Sequence, residues 1–248
     1  MRKTILITGA SSGLGAGLAR EFARRGRHLA LCARRVERLE ALKAELEAAH
    51  PDIRVSVRAL DVGRYEDVFT VFRDFAAEFG ALDRVIVNAG MGKGASLGTG
   101  YFHANRATAE TNFVAALAQC EAALEIFRAQ NAGHLVTVAS ISALRGMPRA
   151  MTVYGATKAG LAALSEGIRS DLHATPIRVT TLFPGYIRSE INEKLKRTPF
   201  IVDTGTGCRL LAAAIEREPA KAYVPWWPWA PLGFLIKRLP LGLVRRIT

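Results

Sequence analysis

Tyr154 and Lys158, in Tyr-Gly-Ala-Thr-Lys, stand four residues apart and could together move a proton. The apolar residues that follow, Leu161, Leu164, Ile168 and Leu172, recur at helical intervals. On a helix, positions i and i+4 share a face, so the ammonium can sit beside the phenol. A free phenol has a pKa of about 10 and is a poor proton donor or acceptor at neutral pH. A fixed positive charge within about 4–6 Å favours the phenolate and lowers that pKa. The spacing alone is weak, because a core tyrosine with a snorkelling lysine gives the same pattern. The surrounding elements must decide.

Those elements alternate. Short β-branched runs at Thr4–Thr8, His28–Cys32, Ile53–Leu60, Arg84–Asn88, Leu135–Ala139 and Ile177–Phe183 read as strands. Helical patterns at Leu14–Arg25, Val36–Ala49, Tyr65–Phe79 and about Thr108–Arg128 lie between them, and the Tyr154 helix precedes the last. Strands separated by helices imply right-handed crossovers and a parallel sheet. Ile5-Leu6-Ile7 and Val85-Ile86-Val87 are continuous apolar runs, which suits strands covered on both faces. The expected fold is α/β, a doubly wound parallel sheet in three α/β/α layers, with its ligand crevice beyond the carboxyl ends of the strands.

The first strand runs into Thr8-Gly9-Ala10-Ser11-Ser12-Gly13-Leu14-Gly15. Glycines there permit a tight turn, close approach of a pyrophosphate and close helix packing, and the next helix offers N–H groups to the phosphates. A glycine-rich turn can serve chain reversal alone, but this one follows the first strand and opens a helix, so dinucleotide binding is expected. At the end of the second strand an acidic residue would select a free adenosine ribose. Cys32-Ala33-Arg34-Arg35 stands there instead. Arginine forks pair with phosphate oxygens, and Ser12 could add a hydroxyl donor, so Arg34 and Arg35 favour NADP(H) over NAD(H).

With these segments in order, residues from about Arg2 to Ser189 resemble the short-chain dehydrogenases/reductases. The glycine loop resembles the family's T-G-x-x-x-G-x-G. Asp61-Val62 resembles the pair that contacts the adenine, and Asn88-Ala89-Gly90 the N-A-G segment after the fourth strand. Asn112 matches the helix asparagine of the catalytic set, and Tyr154 with Lys158 matches Y-x-x-x-K. Pro184-Gly185, Ile187 and Ser189 resemble the segment that meets the nicotinamide carboxamide. The resemblance implies a Rossmann-type catalytic domain over residues 1–225 and interconversion of a carbonyl and an alcohol by hydride transfer. Tyr154 would be the general acid in reduction and the base in oxidation. Lys158 would lower its pKa and hold the nicotinamide ribose, and Asn112 would hold the lysine and a water. The family's serine lies 13 residues before the tyrosine, which lands here on Ile141. Ser140, at the end of its strand, is favoured over Ser142. A homodimer or homotetramer through the helices around Thr108–Arg128 and Tyr154–His173 is also implied. One alternative is a cofactor-binding sensor or scaffold without turnover, although it would be expected to lose the tyrosine, lysine or serine; another is a peripheral membrane protein of the same fold whose main work is done by its tail.

Beyond Ser189, residues 190–200 would form a lid, Gly205–Glu216 a helix and Ala222–Pro225 a short strand. Residues 226–248 then gather all three tryptophans, Trp226, Trp227 and Trp229, with leucines and Lys237, Arg238, Arg245 and Arg246. That composition suits an interfacial membrane segment, while Pro228, Pro231 and Pro240 interrupt it and no run spans a bilayer. A tail packed on a neighbouring subunit, or walling the substrate pocket, fits the same residues. Either reading favours a hydrophobic lipid-like, acyl or steroid-like substrate. The net charge of +12 is spread along the chain without an aromatic-interleaved basic motif. A phosphorylated cofactor and an anionic membrane surface account for it better than nucleic acid does. Cys32, Cys120 and Cys208 are far apart, which argues against a disulfide framework or a metal site. The N-terminus shows no signal-peptide pattern. A cytoplasmic protein is therefore expected, at the inner face of a membrane if the tail is interfacial.

Overall fold

The computed structural model describes residues 2–92, 94–190 and 198–247. Seven strands, β1 (Thr4–Thr8), β2 (His28–Ala33), β3 (Val55–Ala59), β4 (Arg84–Val87), β5 (Gly133–Val138), β6 (Ile177–Pro184) and β7 (Lys221–Val224), form one sheet in the order β3-β2-β1-β4-β5-β6-β7. Every neighbouring pair is parallel. The winding reverses between β1 and β4, so a crevice opens at their carboxyl ends.

Side chains alternate across the sheet, as the period of two requires. On one face Ile5, Ile7, Leu29, Leu31 and Ile86 pack beneath α1 (Gly13–Ala23), α2 (Val36–Ala49) and α7 (Thr204–Glu216). On the other face Leu6, Val85 and Val87 pack beneath α3 (Tyr65–Phe79), α5 (Ala115–Gln130) and α6 (Met151–Asp171). Phe22, Phe72, Phe75 and Phe127 are fully buried between the layers. Each such side chain is worth about 2 kcal/mol relative to exposure. At the amino ends of the strands, Arg84 is fully buried and pairs with Glu216 and Glu218, both at 3.2 Å. Its Nε donates to His134 Nδ1 at 2.8 Å. Burial holds the His134 pKa down to about 3, so that ring is neutral. This network lies at the opposite end of the sheet from the crevice.

The helical stretch expected around Thr108–Arg128 begins earlier and is not uniform. It consists of α4 (Phe102–Ala109), a π-helical turn (Glu110–Val114) and α5. Such single turns inside α-helices mark places where a side chain must be re-aimed. Here the turn carries Asn112, which is 1% exposed.

The lid expected at residues 190–200 falls mostly on 191–197, outside the described residues. The tail forms α8 (Trp226–Ile236), kinked at Trp227, and α9 (Leu241–Ile247). Trp229 and Val244 are buried against the body of the domain. Arg145 donates to the Lys237 and Leu239 carbonyls at 2.9 and 3.0 Å. Trp226, Trp227, Phe234, Leu235, Leu241 and Leu243 face outward. No described helix is long and apolar enough to cross a membrane.

Candidate active site

Strand β5 delivers Ser140 to the crevice in extended conformation, and a short 3-10 turn (Ile141–Leu144) follows. The Ser142 N–H donates to Ser140 Oγ at 3.1 Å, which orients the hydroxyl. Helix α6 then brings Tyr154 and Lys158 back over the strand end. Ser140 neighbours the Tyr154 phenol and acts to lower its pKa. Lys158 Nζ lies 6.0 Å from the Tyr154 ring centroid and donates to the Val138 carbonyl at 2.7 Å.

The electrostatics differ from the expectation that Lys158 lowers the phenol pKa. Burial raises the Tyr154 pKa, against the lowering effect of Ser140, and nearby Tyr186 raises it further. Lys158 is itself 5% exposed, and burial pushes its pKa down to about 8. The ammonium is engaged by a backbone carbonyl, and desolvation is the leading influence on the phenol.

Asn112 joins this group through the chain after β4. Its Oδ1 accepts from Met91 N at 2.8 Å, and its Nδ2 donates to Met91 O at 2.9 Å. Both amide atoms thus hold backbone, where the resemblance implied a bond to the lysine. The held segment is close to Lys158 all the same. A Cβ on Gly90 would lie 3.2 Å from Asn112 Oδ1 and 3.6 Å from Lys158 Nζ.

The glycine loop is a cradle that side chains would fill. Gly9 has φ +65°, and a Cβ there would meet Ala89 Cα at 2.9 Å. A Cβ on Gly15 would strike the Gly9 carbonyl and lie 2.8 Å from Asn88 Nδ2. Thr8 Oγ1 accepts from the N–H groups of Asn88 and Ala89, both at 3.1 Å, which locks β4's exit to β1's exit. Ser12 precedes α1 without capping it by its side chain. Arg35 takes both serines instead, Nε donating to Ser11 Oγ at 3.2 Å and Nη2 to Ser12 Oγ at 2.6 Å. Open backbone at a helix N-terminus, with basic and hydroxyl donors beside it, fits a phosphorylated dinucleotide.

The remaining expected residues are spread around this cradle. Arg34 is exposed, whereas Arg35 turns inward. Asp61 accepts from Gly63 N at 3.0 Å, and Val62 is buried in the core. Gly185 N donates to the Val224 carbonyl at 2.9 Å, and Ile187 packs against Gly207 of α7. Ser189 crosses the glycine loop, its Cβ 3.6 Å from where a Gly13 Cβ would be. The crevice thus gathers the exits of β1, β4, β5 and β6.

The family model described as short chain dehydrogenase matches residues 3–199. The chain belongs to the short-chain dehydrogenase family. It is an oxidoreductase with a fold that binds a nicotinamide dinucleotide. It is 55% identical over 247 residues to an uncharacterized oxidoreductase of Mycobacterium tuberculosis, covering 100% of this chain and 98% of that one. A farnesol dehydrogenase of Aedes aegypti is 34% identical over 196 residues, with 76% and 79% covered. The solved short-chain dehydrogenase from Sphingobium yanoikuyae, in complex with NADPH, matches with a TM-score of 0.82 at 27% identity, over 97% of each chain.

At the short-chain dehydrogenase site, Arg38 stands outside the sequence expectations, and Glu190 and Trp229 enter them only as members of the lid and the tail. Arg38 lies three residues after Arg35 on α2 and carries the same charge to the same side, a signal that was present. Glu190 contacts both arginines, at 3.3 Å and 2.9 Å. Trp229 packs so closely on Gly185 that any Cβ there would overlap the indole. Its ring meets Tyr186 and Phe200 edge-on, with centroids 5.8 and 5.9 Å apart. Nothing in the spacing of three clustered tryptophans says which one turns inward.

Proposed function

We propose that this protein interconverts a carbonyl and an alcohol on an apolar substrate with NADP(H), and that Tyr154 moves the proton. The observation that carries this is the meeting of Ser140, Tyr154 and Lys158 at the end of β5, beside the Gly9–Gly15 cradle. The nicotinamide, when bound, supplies or accepts the hydride. In reduction the Tyr154 phenol donates its proton to the substrate oxygen, and its raised pKa keeps that proton in place at neutral pH. The Ser140 hydroxyl offers a second hydrogen bond where negative charge develops. In oxidation the phenol takes the proton, and the Lys158 charge stabilises the phenolate. Asn112 positions Met91 and the adjoining Gly90 against the lysine.

The NADP(H) preference rests on Ser11, Ser12, Arg35 and Arg38, with no carboxylate at the end of β2. Arg35→Ala is expected to weaken NADPH binding about tenfold or more by calorimetry, since a charge-assisted pair is worth about 1.5–3 kcal/mol. NADH binding should stay within about twofold. An unchanged NADPH affinity would sink the preference.

The aromatic wall of Tyr186, Phe200 and Trp229 supports an apolar substrate, and the farnesol dehydrogenase relative agrees in substrate class. The outward aromatics of α8, with Lys237 and Arg238 beside them, support docking on an anionic bilayer at a cytoplasmic face. The protein should pellet with vesicles rich in anionic lipid, and the triple variant Trp226→Ser, Trp227→Ser, Phe234→Ser should not. Substitution is preferable to truncation here, because Trp229 and Val244 are part of the packed body. Equal pelleting by the two proteins would exclude this surface. An apolar groove of about 300 Å³ over α3 and α5, lined by Tyr65, Val114 and Leu117, supports a homo-oligomer whose size sedimentation velocity reads.

A further inference from the structure

Glu190 sits where a surface acid has little reason to be. Arg38 Nη1 donates to its Oε1 at 2.9 Å, and Arg35 Nη2, which also donates to Ser12 Oγ at 2.6 Å, donates to its Oε2 at 3.3 Å. These are donors that the NADP(H) reading assigns to the cofactor's 2′-phosphate. They come from the residue that leads into α2 and from its first turn, more than 150 residues away in sequence. Carboxylate and phosphate oxygens accept the same arginine forks, so one anion can stand in for the other. The pairing with Arg38, then the influence of Ser12 and Arg35, holds the Glu190 carboxyl below its ordinary pKa, so it is charged at neutral pH. The backbone leading to it is anchored. Val202 N donates to the Tyr186 carbonyl at 3.0 Å, and Arg188 N donates to the Val202 carbonyl at 2.9 Å. Ser189 then rests beside Gly13.

We propose that Glu190 is an internal competitor for the cofactor phosphate, occupying the Arg35 and Arg38 donors until a 2′-phosphate displaces it. The proposal rests on the NADP(H) reading above. An exposed ion pair of this kind is ordinarily worth little. Its effect here comes from place, because each donor bond to Glu190 must be exchanged before the phosphate can use that donor. A cofactor without the 2′-phosphate does not contend for these donors and gains nothing from freeing them.

The test is calorimetric binding of two probes that carry no nicotinamide, adenosine 2′,5′-bisphosphate and adenosine 5′-monophosphate. Glu190→Gln keeps the shape and removes the charge. It should tighten the bisphosphate about three- to tenfold, the gain expected from releasing one or two exposed pairs, and change the monophosphate less than twofold. In an Arg38→Ala background the same substitution should have a smaller effect, because the pair it breaks is already gone. Equal tightening of both probes would mean a general change in charge and would overturn the proposal. So would an unchanged or weaker bisphosphate affinity. Should the wild-type protein fail to prefer the bisphosphate at all, the NADP(H) reading itself fails. That result is distinct from an inert Glu190→Gln.

Discussion

Tyr154→Phe should lower kcat for carbonyl reduction at least about a thousandfold, within the range that a positioned acid supplies, and leave the NADPH Kd within about twofold. The substitution removes one oxygen from a half-buried ring. The ring keeps its place near Lys158, whose ammonium remains bonded to the Val138 carbonyl. Ser140 stays oriented by Ser142 N, so the substrate oxygen keeps one donor and loses its proton source. Steady-state turnover measured alongside NADPH fluorescence titration separates these effects. Activity within tenfold of wild type would rule out Tyr154 as the acid. A cofactor-binding scaffold would show no turnover in either protein.

Lys158→Met should do two opposite things, abolishing turnover and stabilising the free fold. The lysine pKa falls from 10.5 to about 8 on folding, through desolvation of the charged form. At about 1.36 kcal/mol per unit, the buried charge costs about 3 kcal/mol. The native state releases this proton more readily than the unfolded chain, so it binds fewer protons between pH 8 and 10.5. Stability from this group therefore rises with pH across that window, and the full penalty is present below pH 8. Methionine fills similar space and leaves the Val138 carbonyl without its partner, which returns about 1 kcal/mol. A net gain of about 2 kcal/mol in urea unfolding at pH 7 is the expected result, shrinking toward pH 10.5. Loss of stability at pH 7 would show that the lysine is held by more than one carbonyl. The charge is retained at a cost to the fold, which is the pattern of a residue kept for chemistry.

Much of the fold was legible because its signals are local. Thr4–Thr8, Val36–Ala49 and Tyr65–Phe79 have the bounds that their periodicity predicts. The period of two or 3.6 is written into consecutive residues, and burial on both faces shows as continuous apolar runs. The stretch around Asn112 was less legible, because a π turn depends on what its side chain reaches, and Met91 is 21 residues away. Arg34 and Arg35 look alike in sequence. Only the packing of β2 against the glycine loop turns Arg35 toward Ser11 and Ser12 and leaves Arg34 in solvent.

The sequence by itself determined the doubly wound sheet, the glycine cradle and the set of groups proposed to move a proton, since residue type and short-range spacing carry all three. The tertiary structure placed Ser140 beside Tyr154, made burial the leading influence on that phenol's pKa, and turned Trp229 from the tail onto Gly185. It also brought Glu190 onto Arg35 and Arg38. Each of these depends on distances between segments far apart in the chain, and on how much water their meeting excludes.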